Sequence, residues 1–176
     1  MGNGLGQVLI ARQGPSRQVG IAVFLVDTGC LGVKDVIALL DGPDRASEMI
    51  ERLENDRDMK PAKPGLARGL VESAVAYARS LGFEPHADYR KAAMIWGDVE
   101  AESIEGHFTF GREGKPFYMN GPFEDQARQQ HILRTLERTV GEGNFNFMLG
   151  LGPIPNGIPG YLGTDDDVDE DEDFDS

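Results

Sequence analysis

The sequence has very little cysteine and histidine. It contains a single cysteine, Cys30, and three histidines in 176 residues. One cysteine excludes an internal disulfide and cannot by itself form a thiolate metal site. A chain without disulfides is typical of a reducing compartment, so we predict a cytoplasmic protein.

Long apolar runs are also missing. The longest candidate, residues 21–26, is far shorter than the ~18 apolar residues that a membrane-spanning helix needs. The first fourteen residues, MGNGLGQVLIARQG, lack the basic and apolar regions of a secretory signal. The sequence therefore predicts no membrane association and no export.

Basic residues are outnumbered, 17 Lys and Arg against 30 Asp and Glu, which gives a net charge of −13. Nine of the acidic residues lie in 165–176, so the rest of the chain has 21 acidic against 17 basic residues and a charge near −4. The nine are Asp165, Asp166, Asp167, Asp169, Glu170, Asp171, Glu172, Asp173 and Asp175. Such a block predicts a disordered tail that either solubilises the protein or docks on a basic partner. Direct nucleic-acid binding is disfavoured, because the Lys and Arg residues form no basic stripe.

Signatures of nucleotide and metal binding are absent. The glycines of GNGLGQ do not match G-x-G-x-x-G and precede a predicted strand, whereas the dinucleotide fingerprint follows one. No phosphate-binding loop with a Gly-Lys-Ser/Thr ending occurs, and the histidines are far apart. We predict no cofactor and no metal.

The pattern of apolar residues predicts an α+β fold. Two strands flank the turn GPSR, and the second is apolar throughout, as expected of a central strand. Residues 33–40 (VKDVIALL) are interpreted as one or two helical turns. Helices are predicted at 44–56, 65–82, 87–97 and 124–141, the second of them with the strongest apolar stripe. A second hairpin is predicted at 107–122 and a last strand at 144–151.

The order of these elements predicts a mainly antiparallel sheet of two hairpins plus a C-terminal strand, packed on a helical block. Residues 1–150 form a single domain in this prediction. Residues 151–164 are a linker rich in glycine and proline, and 165–176 are the acidic tail.

Asp27-Thr28-Gly29 is the triplet that carries the catalytic aspartate of aspartic proteases, where two such aspartates share a proton. The apolar strand before it fits that class. Only one triplet occurs, so a protease would have to be a dimer, and the helix predicted after the triplet stands where a protease needs β-structure. The alternative is that Asp27 marks the end of a buried strand.

The same loop suggests a second kind of site. Asp27, Cys30 and Lys34 follow the central strand, and His86 lies in the turn GFEPHADY after the strongest helix. If His86 meets Cys30, the pair could serve as base and nucleophile of a small hydrolase. The competing interpretation is a buried cysteine and a histidine that caps a helix.

Four residues of the second predicted hairpin form a candidate binding surface for a macromolecular partner. They are Arg112, Lys115, Tyr118 and Asn120. Basic and aromatic side chains of this kind bind partners or single strands of nucleic acid. The competing interpretation is a hairpin that packs its aromatic residues into the core.

Three segments together resemble a bacterial protein family of no established activity. They are CLGVKD, GFEPHADY and GKPFYMNGP, which match the blocks CLGVKD, GFEPHxDY and GKPFYxxGP of that family. The resemblance covers about residues 5–150 and implies no catalytic residue. The sequence therefore predicts a binding or accessory protein that engages a protein partner, with the small hydrolase as the alternative.

Overall fold

The computed structural model describes residues 4–14, 16–57, 59–122 and 124–150. Its main sheet has three antiparallel strands in the order β1 (Leu5–Gln13), β2 (Val19–Asp27) and β3 (Gly32–Asp41). Helices α1 (Pro43–Arg57) and α2 (Pro64–Ser80) follow, and then a short α3 (Tyr89–Ala92) that continues as a 3-10 helix (Ala93–Trp96). The chain then forms β4 (Phe117–Met119), α4 (Gln126–Val140) and β5 (Asn146–Met148).

The middle strand, β2, is covered on both faces. Ala22, Phe24 and Val26 point to one face, where they pack against α2 and the 3-10 helix; Phe24 stacks on Trp96 with ring centroids 5.6 Å apart. Ile21 and Val23 point to the other face, where α1 covers them. Because successive side chains of a strand alternate, a nearly continuous apolar strand implies cover on both sides. The prediction of a central strand is confirmed.

A second core lies beyond the C-terminal end of β2. It combines Cys30 and Leu31 with the end of α2 and with Tyr118, Ile132 and Leu136. Asp125 begins α4 by accepting a hydrogen bond from the backbone N–H of Arg128 at 2.7 Å. The turn after β2 therefore lies between two cores.

The interpretation of residues 33–40 as helical turns is wrong, because they form most of β3. Val33, Val36, Ile37 and Leu40 recur at a spacing that also suits a helix. The turn after β2 reverses the chain, however, and β3 then pairs with β2 from Gly32↔Asp27 to Asp41↔Val19. Three of the four residues, Val33, Val36 and Ile37, are β-branched, and β-branched residues favour a strand.

The second hairpin at 107–122 is reduced to one antiparallel bridge between Arg112 and Lys115. Glu113 and Gly114 both have positive φ, as a two-residue hairpin turn requires. The flanking backbone groups bond elsewhere: Gly111 N–H donates to Thr28 and Phe117 N–H donates to Gly29. Strand β4 instead pairs in parallel with β5.

Antiparallel sheet, four helices and a small parallel sheet make a mixed α+β fold, as predicted. Helix α3 is shorter than expected because it tightens into a 3-10 helix after Ala92. None of the helices described in 4–150 is long and apolar enough to cross a membrane. The predicted linker and acidic tail lie outside the described residues.

Candidate functional site

Asp27 closes the turn that follows β2. Its Oδ1 accepts hydrogen bonds from the backbone N–H groups of Gly29, Cys30 and Leu31 at 2.8, 3.0 and 3.4 Å. The residue is 8% exposed. Burial raises the pKa of Asp27 above its ordinary value and outweighs the three N–H groups and the positive charge of Lys34, which lower it.

This geometry bears on the protease interpretation. The helix predicted after the triplet is absent, so that objection to a protease falls. In its place, the Asp27 carboxylate is directed into its own turn, where one oxygen is bound by three amides. Gly29 is needed for a packing reason as well, because a Cβ there would lie 2.3 Å from the carbonyl oxygen of Phe117. The triplet thus has a structural explanation.

Cys30 is fully buried beside this turn, in the second core. Burial, assisted by the negative charge of Asp27, raises the pKa of the Cys30 thiol far above its ordinary value. A thiol in such surroundings stays protonated at neutral pH, and the thiolate is the reactive form. The environment of Cys30 is that of a packed core residue.

Lys34 occupies a β-bulge. Leu25 pairs with Asp35 and Val26 with Val33, so Lys34 is the extra residue on β3. A bulge bends the strand and changes the direction of the side chain there. The Lys34 ammonium lies 3.1 Å from Oε1 of Glu124, with side chains 14% and 11% exposed.

Glu124 links this ion pair to β4. Its Oε2 accepts a hydrogen bond of 2.6 Å from the hydroxyl of Tyr118, which is fully buried. Burial acts to raise the pKa of Glu124, but the bonds from Tyr118 and Lys34 prevail and lower it. Glu124 could not be predicted as a site residue, since nothing in a single sequence pairs it with Lys34, which is distant along the chain.

His86 lies beside β3, and no hydrogen bond joins it to Cys30 among the described residues. Its backbone N–H donates to the carbonyl of Val33 at 2.9 Å, and its Nδ1 accepts from the N–H of Asp88 at 3.2 Å. Lys34 and His86 line one cleft of about 360 Å³, whereas Asp27 and Cys30 do not line it. The structure therefore splits the four predicted residues into a buried turn and a cleft. Their catalytic role stays a prediction.

The four residues proposed as a binding surface each have an internal contact. The Arg112 guanidinium lies 5.3 Å from the ring centre of Phe117, and Lys115 Nζ donates to the carbonyl of Gly143 at 2.8 Å. Tyr118 is in the core, and Asn120 bonds to the backbone of Gly150. A binding role for these residues also stays a prediction.

A cavity lies along the edge of β1 that pairs with no other described strand. It has a volume of about 770 Å³ and is lined by every residue of 4–11. The remaining wall comes from α2, the end of α1, the segment between these helices, and Phe108. The lining residues outside β1 are Val26, Thr28, Glu54, Met59, Lys60, Pro61, Ala62, Pro64, Leu66, Ala67, Leu70 and Phe108. We call this cavity the edge groove.

The direction of the backbone groups on β1 follows from two bonds at its ends. Thr28 N–H donates to the carbonyl of Gly4, and Gly14 N–H donates to the carbonyl of Gln18. Hydrogen-bonded pairs alternate along an antiparallel ladder, so even-numbered residues of β1 bond to β2. The N–H and C=O groups of Leu5, Gln7, Leu9 and Ala11 then point outward, into the edge groove. Within the described part of the chain they have no backbone partner.

The edge groove is apolar and almost without charge. Residues 5–11 of β1 carry no charged side chain and no proline, and among the described residues of the lining Glu54 and Lys60 are the charged ones. The side-chain oxygen of Gln7 is buried without a hydrogen-bond partner among the described residues. Natural edge strands are commonly protected by charge, proline or a covering element. The sequence indicates β1, but it does not indicate that its outer edge has no partner among the described strands.

Within the described residues, no three His, Cys, Asp or Glu side chains lie close enough to hold a metal ion. Compared with known proteins, the chain matches no family model, no curated protein and no solved structure. Function is therefore inferred from the geometry of the edge groove and of the cleft that Lys34 and His86 line.

Proposed function

We propose that the protein is a binding module that takes up an extended segment of a partner polypeptide along β1. The observation that carries the proposal is the row of outward N–H and C=O groups on Leu5, Gln7, Leu9 and Ala11, set in an apolar groove. An unpaired strand edge recognises another extended backbone by completing the hydrogen-bond ladder. The cytoplasm, suggested by the single cysteine, is the proposed location.

The lining of the edge groove specifies the chemistry of the partner segment. Helices α1 and α2 cover opposite faces of the sheet, so an added strand would lie between them. One row of its side chains would meet Leu66, Leu70 and Phe108, and the other would meet the connection near Met59. We therefore propose an uncharged segment with apolar residues at alternate positions. Seven residues of β1, Leu5–Ala11, line the groove, which corresponds to about 23 Å of strand at about 3.3 Å per residue.

Gln7 adds a polar contact in the middle of the edge groove. Its buried side-chain oxygen is an acceptor without a donor among the described residues. A buried acceptor without a partner costs about 1–3 kcal/mol. A segment that donates an N–H or O–H to this oxygen, once the Gln7 side chain has turned into the groove, would remove that cost, so we expect Ser, Thr or Asn at the facing position of the partner.

The acidic tail belongs to the same proposal. Nine carboxylates in 165–176 would attract a partner with basic residues beside the extended segment and raise the association rate. Removing residues 165–176 should then lower the association rate at low salt while leaving the dissociation rate unchanged. Equal association rates with and without the tail would limit its role to solubility.

The test of the proposal is selection of peptides followed by two matched proline substitutions. Random nine-residue peptides displayed on phage are selected on the immobilised full chain. Gln7→Pro removes an outward N–H inside the groove, whereas Gln13→Pro removes an outward N–H of the same strand beyond it. Selected peptides should be uncharged and alternating, should lose at least about tenfold in affinity for Gln7→Pro, and should bind Gln13→Pro as they bind the wild type.

Two results would contradict the uptake of a partner polypeptide along β1. One is a set of selected peptides that bind Gln7→Pro and the wild type equally well. The other is a chain that dimerises at micromolar concentration in a way that Gln7→Pro abolishes, which would make a second copy the occupant of β1. Circular dichroism of both variants verifies that the proline substitutions leave the fold intact.

A small hydrolase is the second proposal, and one observation favours it: Lys34 and His86 line the same cleft. Cys30 would have to leave the core to act there as a nucleophile. Hydrolysis of activated esters that survives Cys30→Ala and disappears in His86→Asn would support a site that uses His86. If both variants keep full activity, the hydrolase proposal is contradicted.

A further inference from the structure

The cleft that contains Lys34 and His86 gathers basic side chains from three parts of the chain. Lys34 comes from the bulge of β3, His86 from the loop after α2, and Arg128 and His131 from α4. Arg128 and His131 are three residues apart on a helix, so they lie on the same side of it. The volume of about 360 Å³ is within the range of small-molecule pockets.

Among the described residues, three of the four side chains keep N–H donors that no partner uses. Nδ1 of His86 accepts from the N–H of Asp88, so the neutral ring carries its proton on Nε2. That Nε2 is 3.8 Å from Asp35 Oδ1, too far for a hydrogen bond. Lys34 uses one N–H for Glu124 and has three. Arg128 is 3.9 Å from the Glu124 carboxylate, again beyond hydrogen-bond distance.

Two carboxylates stand beside the cleft without lining it: Asp35 and Asp88 lie 3.8 and 3.9 Å from the nitrogens of His86, and their side chains are 61% and 68% exposed. The side chains that line the cleft itself leave a positive balance. Glu124 faces both Lys34 and Arg128 and offsets one of them. Glu84 also lines the cleft but is paired with Arg79 at 3.1 Å. One cationic charge and two imidazoles therefore remain for a ligand, in a chain whose net charge is −13.

The non-polar part of the cleft includes Phe83 and Ile132. A ligand that fits both parts has an anionic head and a carbon-containing body. Donors on an ammonium, a guanidinium and two imidazoles approach from different elements, which suits the several oxygens of a tetrahedral anion better than the two oxygens of a planar carboxylate.

We propose that this cleft binds the phosphate group of a small phosphate monoester, whose organic part lies against Phe83 and Ile132. The site is separate from the edge groove and from the strand-addition proposal. Its occupant carries a charge of about −1.5 to −2 at neutral pH, which the remaining positive charge offsets in part.

The experiment is an NMR titration of the full, ¹⁵N-labelled chain with phenyl phosphate, with sodium chloride adjusted to keep ionic strength constant. Saturable shifts should appear at the amides of Lys34, His86, Arg128 and His131. Inorganic phosphate should shift the same amides with weaker affinity, and phenol should not shift them. Phosphate binding as tightly as phenyl phosphate would overturn the ester assignment.

Two exposed arginines of α4 provide a matched pair of variants. Arg128→Gln should weaken phenyl phosphate binding about tenfold, the lower end of what a hydrogen bond to a charged group contributes. Arg138→Gln lies outside the cleft on the same helix and should change the affinity by less than about twofold. His131→Asn is the second variant in the cleft and should also weaken binding. Absence of saturable shifts, or equal losses in Arg128→Gln and Arg138→Gln, would overturn the proposal.

Discussion

At the scale of single residues, Asp27 shows how a motif associated with catalysis can be explained by backbone satisfaction. Three amides of a tight turn converge on one carboxylate oxygen, in a position almost closed to water. Buried N–H groups without an acceptor are costly, so the residue at this position must supply one. Asn can do so as well as Asp, whereas Ala cannot.

Substitution of Asp27 separates the acceptor from the charge. Asp27→Ala should lower the free energy of unfolding by about 3 kcal/mol, because three buried amides lose their acceptor. Asp27→Asn should stay within about 1 kcal/mol of the wild type at pH 7, since it retains an oxygen and has no charge to bury. Urea denaturation of both variants measures the two effects. An Asn variant as unstable as the Ala variant would contradict this role for the oxygen.

The difference in stability between the wild type and Asp27→Asn should depend on pH. Burial raises the pKa of Asp27 above the unfolded value of 3.8, so the folded protein binds more protons than the unfolded chain between the two values. The stability of the wild type relative to Asp27→Asn should therefore rise as the pH falls through this interval and stay constant above it. A relative stability that falls on acidification would show that the amides and Lys34 lower the pKa instead.

The hydrogen bond between Tyr118 and Glu124 should have the opposite pH dependence: its contribution to stability falls on acidification. Tyr118→Phe removes the 2.6 Å bond to Glu124 and should cost about 2 kcal/mol at pH 7. The pKa of Glu124 is lowered in the folded protein, so this contribution is present above its unfolded value of 4.5 and is lost as the pH falls through the folded value. Denaturation at pH values from 7 to 3 should show that the free energies of unfolding of the wild type and Tyr118→Phe converge. A constant difference would mean that the bond does not depend on the charge of Glu124.

At the scale of elements, the position of α2 depends on glycines. Gly69 lies where a Cβ would be 2.1 Å from the carbonyl oxygen of Glu102, so the loop that follows the 3-10 helix packs directly on the helix backbone. Glycine inside a helix usually costs about 1 kcal/mol relative to alanine. Here close packing requires it.

Gly69→Ala should therefore destabilise the protein despite the better helix propensity of alanine. We expect a loss of about 1–3 kcal/mol, as is usual when a packed site is overfilled. Gly42→Ala is the control, because that glycine has open space around its Cβ position and no positive φ. Thermal unfolding of both variants is the measurement, and a stabilised Gly69→Ala would refute the close contact with Glu102.

The elements also show how much a sequence can predict. An apolar run predicted β2 as a central strand, and the spacing of apolar residues in 124–141 predicted α4, because those signals are local. Residues 33–40 were misassigned because their apolar spacing fits both a helix and a strand, and the pairing with β2 decides between them. The partner of Lys34 could not be found, since a bulge and a distant loop bring Glu124 to it.

At the scale of the whole molecule, the edge groove arises from the placement of two helices. Helices α1 and α2 cover opposite faces of the sheet, and the segment between them passes the free edge of β1. The sequence shows that residues 5–11 of β1 carry no charge, but it does not show which edge of the strand lacks a partner among the described strands. Both cavities are therefore features of tertiary structure that sequence patterns did not reveal.

Amide hydrogen exchange of the full chain, measured by NMR with and without a selected peptide, tests strand addition most directly. In the free protein the amides of Gln7, Leu9 and Ala11 should exchange fast, and those of Val8 and Ile10 slowly, because only the even-numbered residues bond to β2. Saturating peptide should slow the first group at least about tenfold, as expected when exposed amides become part of a ladder. Slow exchange of Gln7, Leu9 and Ala11 in the free protein, or no change with bound peptide, would contradict the proposal.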